Sequence, residues 1–427
     1  MRILVVGSGA REDALSWRLA ASPSCEAIFA APGNAGTSLR GENWNIAATD
    51  GKAIAQRCLE ERIDLVVLGP EIAIAAGVGD RLREAGISTF GPSRSAGRLE
   101  SSKVYSKRFM ERHGVPTARA VVVHALEAGL KVLETWEGAC VVKADGLAAG
   151  KGVVLTDDAG QAREVIREWY ESARVPGGGS DLLLEERLEG RELSVFAISD
   201  GRAMYPFAAA CDYKRAGDGD TGPNTGGMGA YSPPESFPRE LEDTVRSRII
   251  APVLRGLLAE GEPYIGVLYC GLMWTADGPY VIEFNARFGD PETQVLMPRV
   301  RGDFAELLKS AADGAVDVGA ARVGGPPCVG VVVATADYPR SATPVSADAA
   351  KLELGENVQV FWGGSGIAPD GRVRSPGGRV LTVTAVGEDL SAAREGAYAA
   401  VRRLAHRFAD GDALTYRTDI ADFTTAP

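Results

Sequence analysis

The sequence predicts a multidomain α/β and α+β protein, with a parallel α/β unit at its amino end and an α+β unit at its carboxyl end. The chain has 427 residues, which is more than one hydrophobic core normally serves, so several domains are expected. Over the first hundred residues, short apolar runs alternate with helical patterns, and each run ends in a Gly- or Pro-rich turn. Near the carboxyl end, the runs CVGVVVAT, VQVFW and RVLTVTAV precede a helical pattern over 390–408.

The amino-terminal strands are predicted at 3–6, 27–30, 65–68 and 88–90. In a parallel sheet the turns that follow such strands meet at the carboxyl edge, where open α/β sheets bind ligands. The first turn, GSGARE, resembles a dinucleotide fingerprint, but Glu12 occupies the place of the third glycine. The second strand ends at Ala30 without an acidic residue to hold a ribose, which disfavours a nicotinamide site.

Changes of pattern along the rest of the chain indicate where the other domains lie. A helical stretch with Lys103 and Lys107 leads into a β-rich module that contains the linker PGGGS. A larger unit follows, with an amphipathic helical pattern over 240–258 and strands at 269–274 and 280–284. The predicted domains are an amino-terminal one at 1–100, a central one at 101–119 and 188–325, a small one at 120–187 and a carboxyl-terminal one at 326–427.

Composition disfavours several classes of function. The formal net charge of −11 argues against a nucleic-acid surface, and no apolar run approaches the length of a membrane span. Three histidines lie apart from other metal-ligand residue types, and six cysteines without a Cys-x-x-Cys pair are typical of reduced thiols. The first residues, MRILVVGSGA, have the pattern of a strand and turn and not of a signal peptide. We therefore expect a cytoplasmic protein without nucleic-acid or membrane partners.

The segment KADGLAAGKG at 143–152 predicts a phosphate-binding loop. Lys143 ends a buried strand, and the glycines after it leave backbone N–H groups free to face an anion. The spacing differs from that of a Walker loop, which has four residues between its glycines and a Ser or Thr after the lysine. A β-hairpin whose glycines only turn the chain is the alternative, and this segment alone does not decide between the two.

Two strand ends carry oxygen-bearing side chains. In LLLEERLEGREL, the strand end at Glu185 can present backbone groups to an adenine edge, with Glu192 near ribose hydroxyls. In VIEFNARFGDPETQ, Glu283 and Asn285 project on one face of a strand as hard ligands for Mg²⁺. Arg287 lies one step further on that face if the strand persists, where it would clamp a carboxylate or phosphoryl group. In both cases an ordinary charged strand end that faces water is the alternative.

The segment 212–234 has few apolar residues and is predicted to be a flexible lid. Asp212, Lys214 and Arg215 precede a stretch rich in Gly, Thr and Asn whose backbone amides can contact an anion. A plain linker is the alternative, although it would be long for a compact domain.

These motifs make the chain similar to the ATP-grasp enzymes, and within them to the family of ligases that join glycine to 5-phosphoribosylamine in purine biosynthesis. The resemblance covers nearly the whole chain, through MRILVVGSGARE, APGNAGT, KADGLAAGKG, DTGPNTGGMGAYSP, IEFNARFGDPETQ and GGRVLTVTA. It implies an ATP-grasp fold, with an amino-terminal domain that binds phosphoribosylamine and a small domain that acts as a flap over ATP. It also implies ATP, one or two Mg²⁺ or Mn²⁺ ions and a glycyl phosphate intermediate.

The resemblance further implies roles for particular residues. ATP would contact Lys103, Lys143, Gly150, Lys151, Gly152, Glu185, Glu186, Leu188 and Glu192, and the metal would bind Glu283 and Asn285. The catalytic residues, near glycine and the acyl phosphate, would be Arg287, Lys214 and Asp212. The substrates would contact Gly9, Arg11, Asn34, Gly36, Glu71, Gly226, Gly227, Met228, Asp290 and Pro291. The implied partners are glycine, phosphoribosylamine and ATP, with a transient hand-off of phosphoribosylamine from the enzyme that makes it.

Three departures from the family pattern bear on the site. Asp13 stands where the family usually has a histidine after Gly-Arg-Glu, and Tyr213 replaces a histidine in the loop motif. Both positions are expected to face the amine substrate and glycine, so an ATP-grasp ligase with a different amine or acid is the alternative function. The strand CGLMW at 270–274 lacks an acid that some relatives use as a metal ligand, so Glu283 and Asn285 are expected to supply the protein ligands.

Overall fold

The computed structural model describes residues 1–147, 152–172, 175, 181–348, 354–405, 408 and 414–423. Its amino-terminal part is a parallel sheet of five strands in the order β3-β2-β1-β4-β5, as the alternating pattern predicts. The elements are β1 (Arg2–Gly7), α1 (Ala10–Ala20), β2 (Ala27–Pro32), β3 (Glu42–Asn43), α2 (Gly51–Glu60), β4 (Leu65–Leu68), α3 (Glu71–Ala75), α4 (Val78–Glu84) and β5 (Thr89–Phe90).

Two helices, α5 (Arg98–Ser101) and α6 (Lys103–His113), lead out of this sheet. The Ser102 hydroxyl caps α6 by accepting from the Tyr105 N–H at 3.0 Å, and Gly114 ends the helix in a left-handed conformation with φ 66°. The cap therefore fixes Lys103 in the first turn of α6.

The small module is a four-stranded antiparallel sheet in the order β6-β9-β7-β8 with two helices packed on it. Its apolar core includes Ile166 and Trp169 of the second helix, and Trp136, which follows the first helix. The elements are β6 (Ala120–Val123), α7 (Leu126–Glu134), β7 (Cys140–Ala144), β8 (Val153–Thr156), α8 (Ala159–Glu171) and β9 (Leu182–Glu186).

The central unit contributes the first half of a nine-stranded antiparallel sheet. The predicted helix over 240–258 is α9 and α10, joined through a π-helical turn at Arg246–Ile250. The elements are β10 (Arg191–Asp200), β11 (Met204–Asp212), β12 (Arg215–Gly217), β13 (Thr221–Asn224), β14 (Gly229–Ser232), α9 (Arg239–Val245), α10 (Ala251–Ala259), β15 (Ile265–Thr275), β16 (Gly278–Asn285), α11 (Glu292–Leu296), β17 (Val300–Gly302), α12 (Phe304–Ala312) and β18 (Ala321–Val323).

The carboxyl-terminal unit completes the large sheet, because β14 pairs with the first strand of that unit from Gly229 opposite Val331 to Ser232 opposite Cys328. The path through the sheet is β16-β15-β10-β11-β14-β19-β24-β21, with β25 paired to β19. The elements are β19 (Cys328–Thr335), β20 (Val345–Ala347), β21 (Val358–Trp362), β22 (Gly366–Ile367), β23 (Val373–Ser375), β24 (Arg379–Val386), α13 (Leu390–Ala405) and β25 (Leu414–Thr415).

The segment 212–234 differs from the flexible lid that its composition predicts. It contains the antiparallel hairpin of β12 and β13 and then enters the large sheet as β14. The apolar residues Met228 and Ala230 are buried, so the end of the segment belongs to the core.

None of the helices among the described residues combines the length and the apolar character that a membrane crossing requires.

Candidate active site

A cleft of about 2120 Å³ lies where the amino-terminal turns, the small module, the central sheet and the carboxyl-terminal unit meet. A pocket for one drug-sized ligand usually has a volume of roughly 300–1000 Å³. The cleft therefore has room for more than one substrate at the same time. All five predicted groups of functional residues reach its wall: the amino-terminal turns, the glycine-rich loop, the end of β9, the segment 212–234 and the end of β16.

The end of β16 brings three predicted residues together. Asn285 Nδ2 lies 3.5 Å from Glu283 Oε1, as expected for alternate residues on one strand face. The strand ends at Asn285, so Arg287 reaches the site by a bend and not by a continued strand. Its guanidinium donates to Asn285 Oδ1 at 3.0 Å and forms ion pairs with Glu100 at 2.9 Å and Glu71 at 3.3 Å.

Glu283 and Asn285 fit a magnesium site as a carboxylate and an amide that would share the ion with phosphate oxygens and water. Burial opposes ionisation of Glu283, but the nearby Lys214 and Lys143 ammonium groups hold the pKa of its carboxyl below its usual range. A shared cation needs the Asn285 amide to turn over, because its nitrogen faces Glu283 while its oxygen accepts from Arg287. Within the described ranges, no cluster of three or more His, Cys, Asp or Glu offers another metal site.

The predicted ATP-binding lysines occupy the wall that joins α6 to the small module. Lys103 Nζ donates to Gly146 O at 2.9 Å, which places it under the start of the glycine-rich loop. Lys143 Nζ donates to Ile282 O at 3.0 Å and lies 2.5 Å from Glu185 Oε2. Gly152 also lines the cleft. Gly150 and Lys151 lie outside the described residues.

Glu185 is buried between two lysines, which sequence reasoning did not expect. Its carboxylate pairs with Lys143 and, at 2.8 Å, with Lys107. Burial alone would raise the pKa of Glu185, but the two ammonium groups hold it below its usual range. Because both lysines hold the Glu185 carboxylate, it cannot also contact an adenine. Only the backbone groups at this strand end can make the predicted adenine contact. Glu186 and Leu188 line the cleft next to it.

Asp212 and Lys214 lie together at the end of β11. Lys214 Nζ is 3.9 Å from Asp212 Oδ1, and it pairs with the carboxylate of Glu192, which was expected to hold ribose. Burial raises the pKa of Asp212 to about 7 against the opposing charge of Lys214. Burial would lower the pKa of Lys214, but the carboxylates of Asp212, Glu192 and Glu283 raise it well above its usual value. Lys214 therefore stays a cation at physiological pH.

The amino-terminal turns bring some of their predicted residues to the cleft and not others. Gly9, Arg11 and Glu71 line it, but the Gly9 N–H already donates to Glu12 Oε2 at 2.6 Å. The Asn34 amide is buried and donates to Ser8 O at 3.0 Å, Gly9 O at 2.9 Å and Trp362 O at 2.7 Å.

Gly36 also lies behind the cleft wall, where a Cβ at this position would overlap the Asp13 carboxylate. Asn34 and Gly36 therefore shape the turn and are not among the residues that line the cleft.

The glycines after the hairpin meet the turn that follows β16. Gly226 and Asp290 line the cleft, and Arg379 of β24 joins them by donating to Gly226 O at 2.7 Å and pairing with Asp290 at 3.2 Å. Gly227 has a φ of 109° and packs so closely on Pro291 that a Cβ would overlap the proline ring. Gly227 and Pro291 thus bring the two loops into contact.

Met228 is a core residue with 1% exposure, so it supports the loop from inside and does not line the cleft.

Asp13 and Tyr213, two of the three departures from the family pattern, both contact the carboxyl-terminal unit. Asp13 is fully buried, and its Oδ2 accepts from the Trp362 N–H at 2.8 Å. The Tyr213 hydroxyl accepts from the Ala421 N–H at 2.9 Å, and its ring lies 4.8 Å beneath the guanidinium of Arg417. Asp13 is not among the residues that line the cleft, whereas Tyr213 is, so the expectation that Tyr213 faces a substrate stays a prediction.

Sequence reasoning missed three charged residues of the site. In the sequence, Glu12 served only as evidence against a dinucleotide fingerprint, because it occupies the place of the third glycine. An acid three residues after Gly9 at the start of a helix is also a capping signal, and Glu12 accepts from the Gly9 N–H. Glu100 holds Arg287 and accepts from the Ala286 N–H at 2.7 Å, and Arg379 reaches Asp290 from the last unit. Glu100 and Arg379 have no local signal because their partners are distant in sequence.

Three family models match successive parts of the chain. The phosphoribosylglycinamide synthetase N domain matches residues 1–100, the ATP-grasp (A) domain matches 101–293 and the C domain matches 328–423. The chain belongs to the phosphoribosylamine–glycine ligase family. It is therefore an enzyme of the ligase class.

Curated relatives of this family match the chain along nearly its whole length. Phosphoribosylamine–glycine ligase of Phenylobacterium zucineum is 45% identical over 415 residues, which are 96% of this chain and 97% of that protein. The ligase of Caulobacter vibrioides is 43% identical over 427 residues, covering 98% and 97%. The crystal structure of phosphoribosylamine–glycine ligase from Thermotoga maritima has a TM-score of 0.83 at 32% identity, covering 99% of this chain and 100% of that one.

More distant structures share the ATP-grasp fold. The biotin carboxylase domain of Hydrogenobacter thermophilus 2-oxoglutarate carboxylase, solved in complex with MgADP, ADP and bicarbonate, has a TM-score of 0.71. It is 16% identical and covers 95% of this chain and 90% of that chain, so this likeness concerns the fold alone.

Proposed function

We propose that this ligase joins glycine to 5-phosphoribosylamine, giving glycinamide ribonucleotide, ADP and phosphate for purine biosynthesis. The observation that carries the proposal is the single cleft in which Glu283, Asn285 and Arg287 face Lys143 and Lys214. This arrangement supplies cations for phosphoryl transfer, and its described residues include no histidine. Its thiol, Cys211, is a poor nucleophile at neutral pH, because burial raises the pKa of that group to about 11. Family membership supplies the identity of the two substrates.

The reaction has two balanced steps. A glycine carboxylate oxygen attacks the γ-phosphorus of ATP, the bond from that phosphorus to the β,γ-bridging oxygen breaks, and ADP leaves. The amine of phosphoribosylamine then attacks the acyl carbon of glycyl phosphate. The carbon–oxygen bond to phosphate breaks, inorganic phosphate leaves, and the nitrogen gives up one proton as the amide forms.

The residues of the cleft would act by charge and position. Lys103 and Lys143 would neutralise ATP phosphates, Arg287 would hold the transferred phosphoryl group, and Lys214 would hold the glycine carboxylate. Glu283 and Asn285 would hold Mg²⁺ or Mn²⁺, which neutralises charge on the transferred phosphate when bound. The MgADP in the distant biotin carboxylase domain supports the same pairing of nucleotide and metal here.

Phosphoribosylamine would occupy the amino-terminal end of the cleft. Arg11 donates through Nε to Glu12 at 2.6 Å and through Nη1 to Phe288 O at 3.1 Å. Its Nη2 has no hydrogen-bond partner among the described residues, which makes Arg11 the candidate cation for the sugar phosphate. Glu71 lies 4.0 Å from Arg11 and would accept from ribose hydroxyls. This end of the cleft would also receive phosphoribosylamine in a transient hand-off from the enzyme that makes it.

The test measures ADP release with ATP, Mg²⁺, glycine and phosphoribosylamine generated in the cuvette. ADP should form only when both glycine and phosphoribosylamine are present, should stop with EDTA and should return with Mg²⁺ or Mn²⁺. Alanine and β-alanine serve as controls for the acid. If no ADP forms with glycine but ADP forms with another amine or acid, the alternative ligase replaces this proposal.

A further inference from the structure

The hairpin of β12 and β13 is held over the cleft by the carboxyl-terminal segment of the chain. Arg215, Asp220 and Asn224 of the hairpin line the cleft, and so do Arg417 and Asp419 of the terminal segment. We call residues 417–419 the terminal clasp. The composition of the hairpin predicts a flexible lid, so the contacts of the clasp are what give it a fixed position.

Arg417 forms one half of the clasp. Its guanidinium donates to Arg215 O at 3.2 Å and to Asp220 Oδ1 at 2.6 Å on the hairpin. It also forms two hydrogen bonds with Asp419, at 2.7 and 2.6 Å, and its side chain is 1% exposed. A guanidinium with this many acceptors at fixed angles holds both segments in one geometry.

A reciprocal set of bonds forms the other half. Asp218 at the hairpin tip accepts from the Thr418 N–H at 2.8 Å and from the Thr418 hydroxyl. In return, the Gly219 N–H donates to Asp419 Oδ2 at 2.8 Å. Each segment thus supplies both donors and acceptors to the other.

The clasp is itself fixed to α13. The Tyr398 hydroxyl donates to Arg417 O at 2.8 Å and accepts from the Ile420 N–H at 3.0 Å. Arg394, also on α13, donates to Thr418 O at 2.7 Å. The hairpin is therefore tied to the helix of the carboxyl-terminal unit through the clasp.

Lys214 lies directly before the hairpin, next to Arg215, whose carbonyl accepts from Arg417. The Thr225 N–H and hydroxyl both donate to Lys214 O at 2.8 Å, which fixes the other side of its backbone. We propose that the terminal clasp is a positioning element that sets the place of Lys214 in the cleft, and so the binding of the acid substrate. This inference rests on the proposed function, in which Lys214 holds the glycine carboxylate.

The proposal predicts a selective effect on glycine. Loosening the hairpin moves Lys214 but leaves Lys103 and Lys143, which lie on other elements. Asp218→Ala removes a charged acceptor of two hydrogen bonds, so we expect the KM for glycine to rise about tenfold with the KM for ATP within about twofold. Arg417→Met should have a larger effect in the same direction.

The experiment compares these variants with two controls in the full-length chain. Asp218→Asn keeps an oxygen for the Thr418 N–H and should restore most of the glycine KM. Asp243→Ala removes an exposed aspartate of α9 that pairs with Arg246 at 2.8 Å, outside the clasp, and should behave as wild type. Amide hydrogen exchange over residues 215–224 reports whether the hairpin has loosened. Asp218 is exposed, so its variant tests the idea even if Arg417→Met does not fold.

The outcomes separate the clasp from the proposed function. Faster exchange in the hairpin together with a raised KM for glycine alone supports the clasp as a positioning element. Faster exchange with unchanged KM for glycine overturns it, and so does an equal rise of the KM for ATP. If wild type shows no turnover with glycine and phosphoribosylamine, the proposed function fails. In that case, unchanged amide hydrogen exchange of the hairpin in Asp218→Ala contradicts the role of the clasp. Faster exchange supports the clasp as the element that fixes the hairpin.

Discussion

Glu185 lies between the buried ammonium groups of Lys107 and Lys143, so one carboxylate neutralises half of the positive charge that the two lysines carry. Lys107 has further acceptors in the Thr117 hydroxyl at 2.6 Å and Ala118 O at 2.9 Å. The triad keeps a net positive charge beside the glycine-rich loop, which suits a polyphosphate. A buried pair of lysines without the carboxylate would repel each other and lose their charged partner.

We therefore predict that Glu185→Ala lowers the free energy of unfolding by about 3–5 kcal/mol, because it leaves two buried cations uncompensated. Urea denaturation followed by fluorescence measures the change. The neighbouring Glu186 is exposed, and Glu186→Ala should change stability by less than about 0.5 kcal/mol. Equal midpoints for the two variants would contradict the importance of the triad.

Sequence reasoning could find the residues whose relation is local. The period of a strand brings Glu283 and Asn285 together, and the structure has their side chains 3.5 Å apart. The same reasoning did not find the pairing of Glu185 with Lys107, because their elements are joined only in the folded chain. The roles of these residues in binding ATP and metal stay predictions.

At the scale of elements, the segment 212–234 shows where composition misleads. A stretch rich in Gly, Thr and Asn lacks the alternating apolar pattern of a strand, yet it forms β12, β13 and β14. The hairpin needs little apolar pattern because it is stabilised by polar bonds to the terminal clasp and not by a core of its own. Propensity is a weak guide where tertiary contacts supply the stability.

The turn APGNAG allows a second prediction. Gly36 has an ordinary helical conformation, with φ −72° and ψ −45°, so only space requires a glycine there. A Cβ would overlap the Asp13 carboxylate, and we expect Gly36→Ala to cost about 1–3 kcal/mol of unfolding free energy. Gly364→Ala is the matched control, since a Cβ there meets nothing within 4 Å. Thermal unfolding of both variants measures the difference. Equal stability of Gly36→Ala and Gly364→Ala would contradict the close packing of Gly36 on Asp13.

On the scale of the whole molecule, the carboxyl-terminal unit supports the cleft from three directions. It continues the central sheet through β14 and β19, it reaches Asp290 through Arg379, and it meets the first helix through Trp362. The fold class follows from the alternation of elements in the sequence. The long-range contacts do not, because each joins residues that no local pattern relates.

The junction of Asp13 with Trp362 makes stability depend on pH. Burial raises the pKa of Asp13 to about 7 from its usual 3.8, against its hydrogen bond from Trp362 and the charge of Arg40, 3.9 Å away. The folded chain therefore holds a proton that the unfolded chain releases, so this group lowers stability as pH rises from about 4 to 7, and the loss is complete above 7.

Asp13→Asn resembles the protonated carboxyl and lacks this dependence. We expect the variant to match wild type near pH 4 and to be more stable by on the order of 4 kcal/mol at pH 8, where the buried carboxylate must be charged. Urea unfolding of both proteins at pH 4 to 8 measures the difference, with the exposed Asp243→Asn as control. A stability difference that stays constant over this range would mean that Asp13 titrates near its usual pKa and that the junction with Trp362 holds an ionised carboxylate.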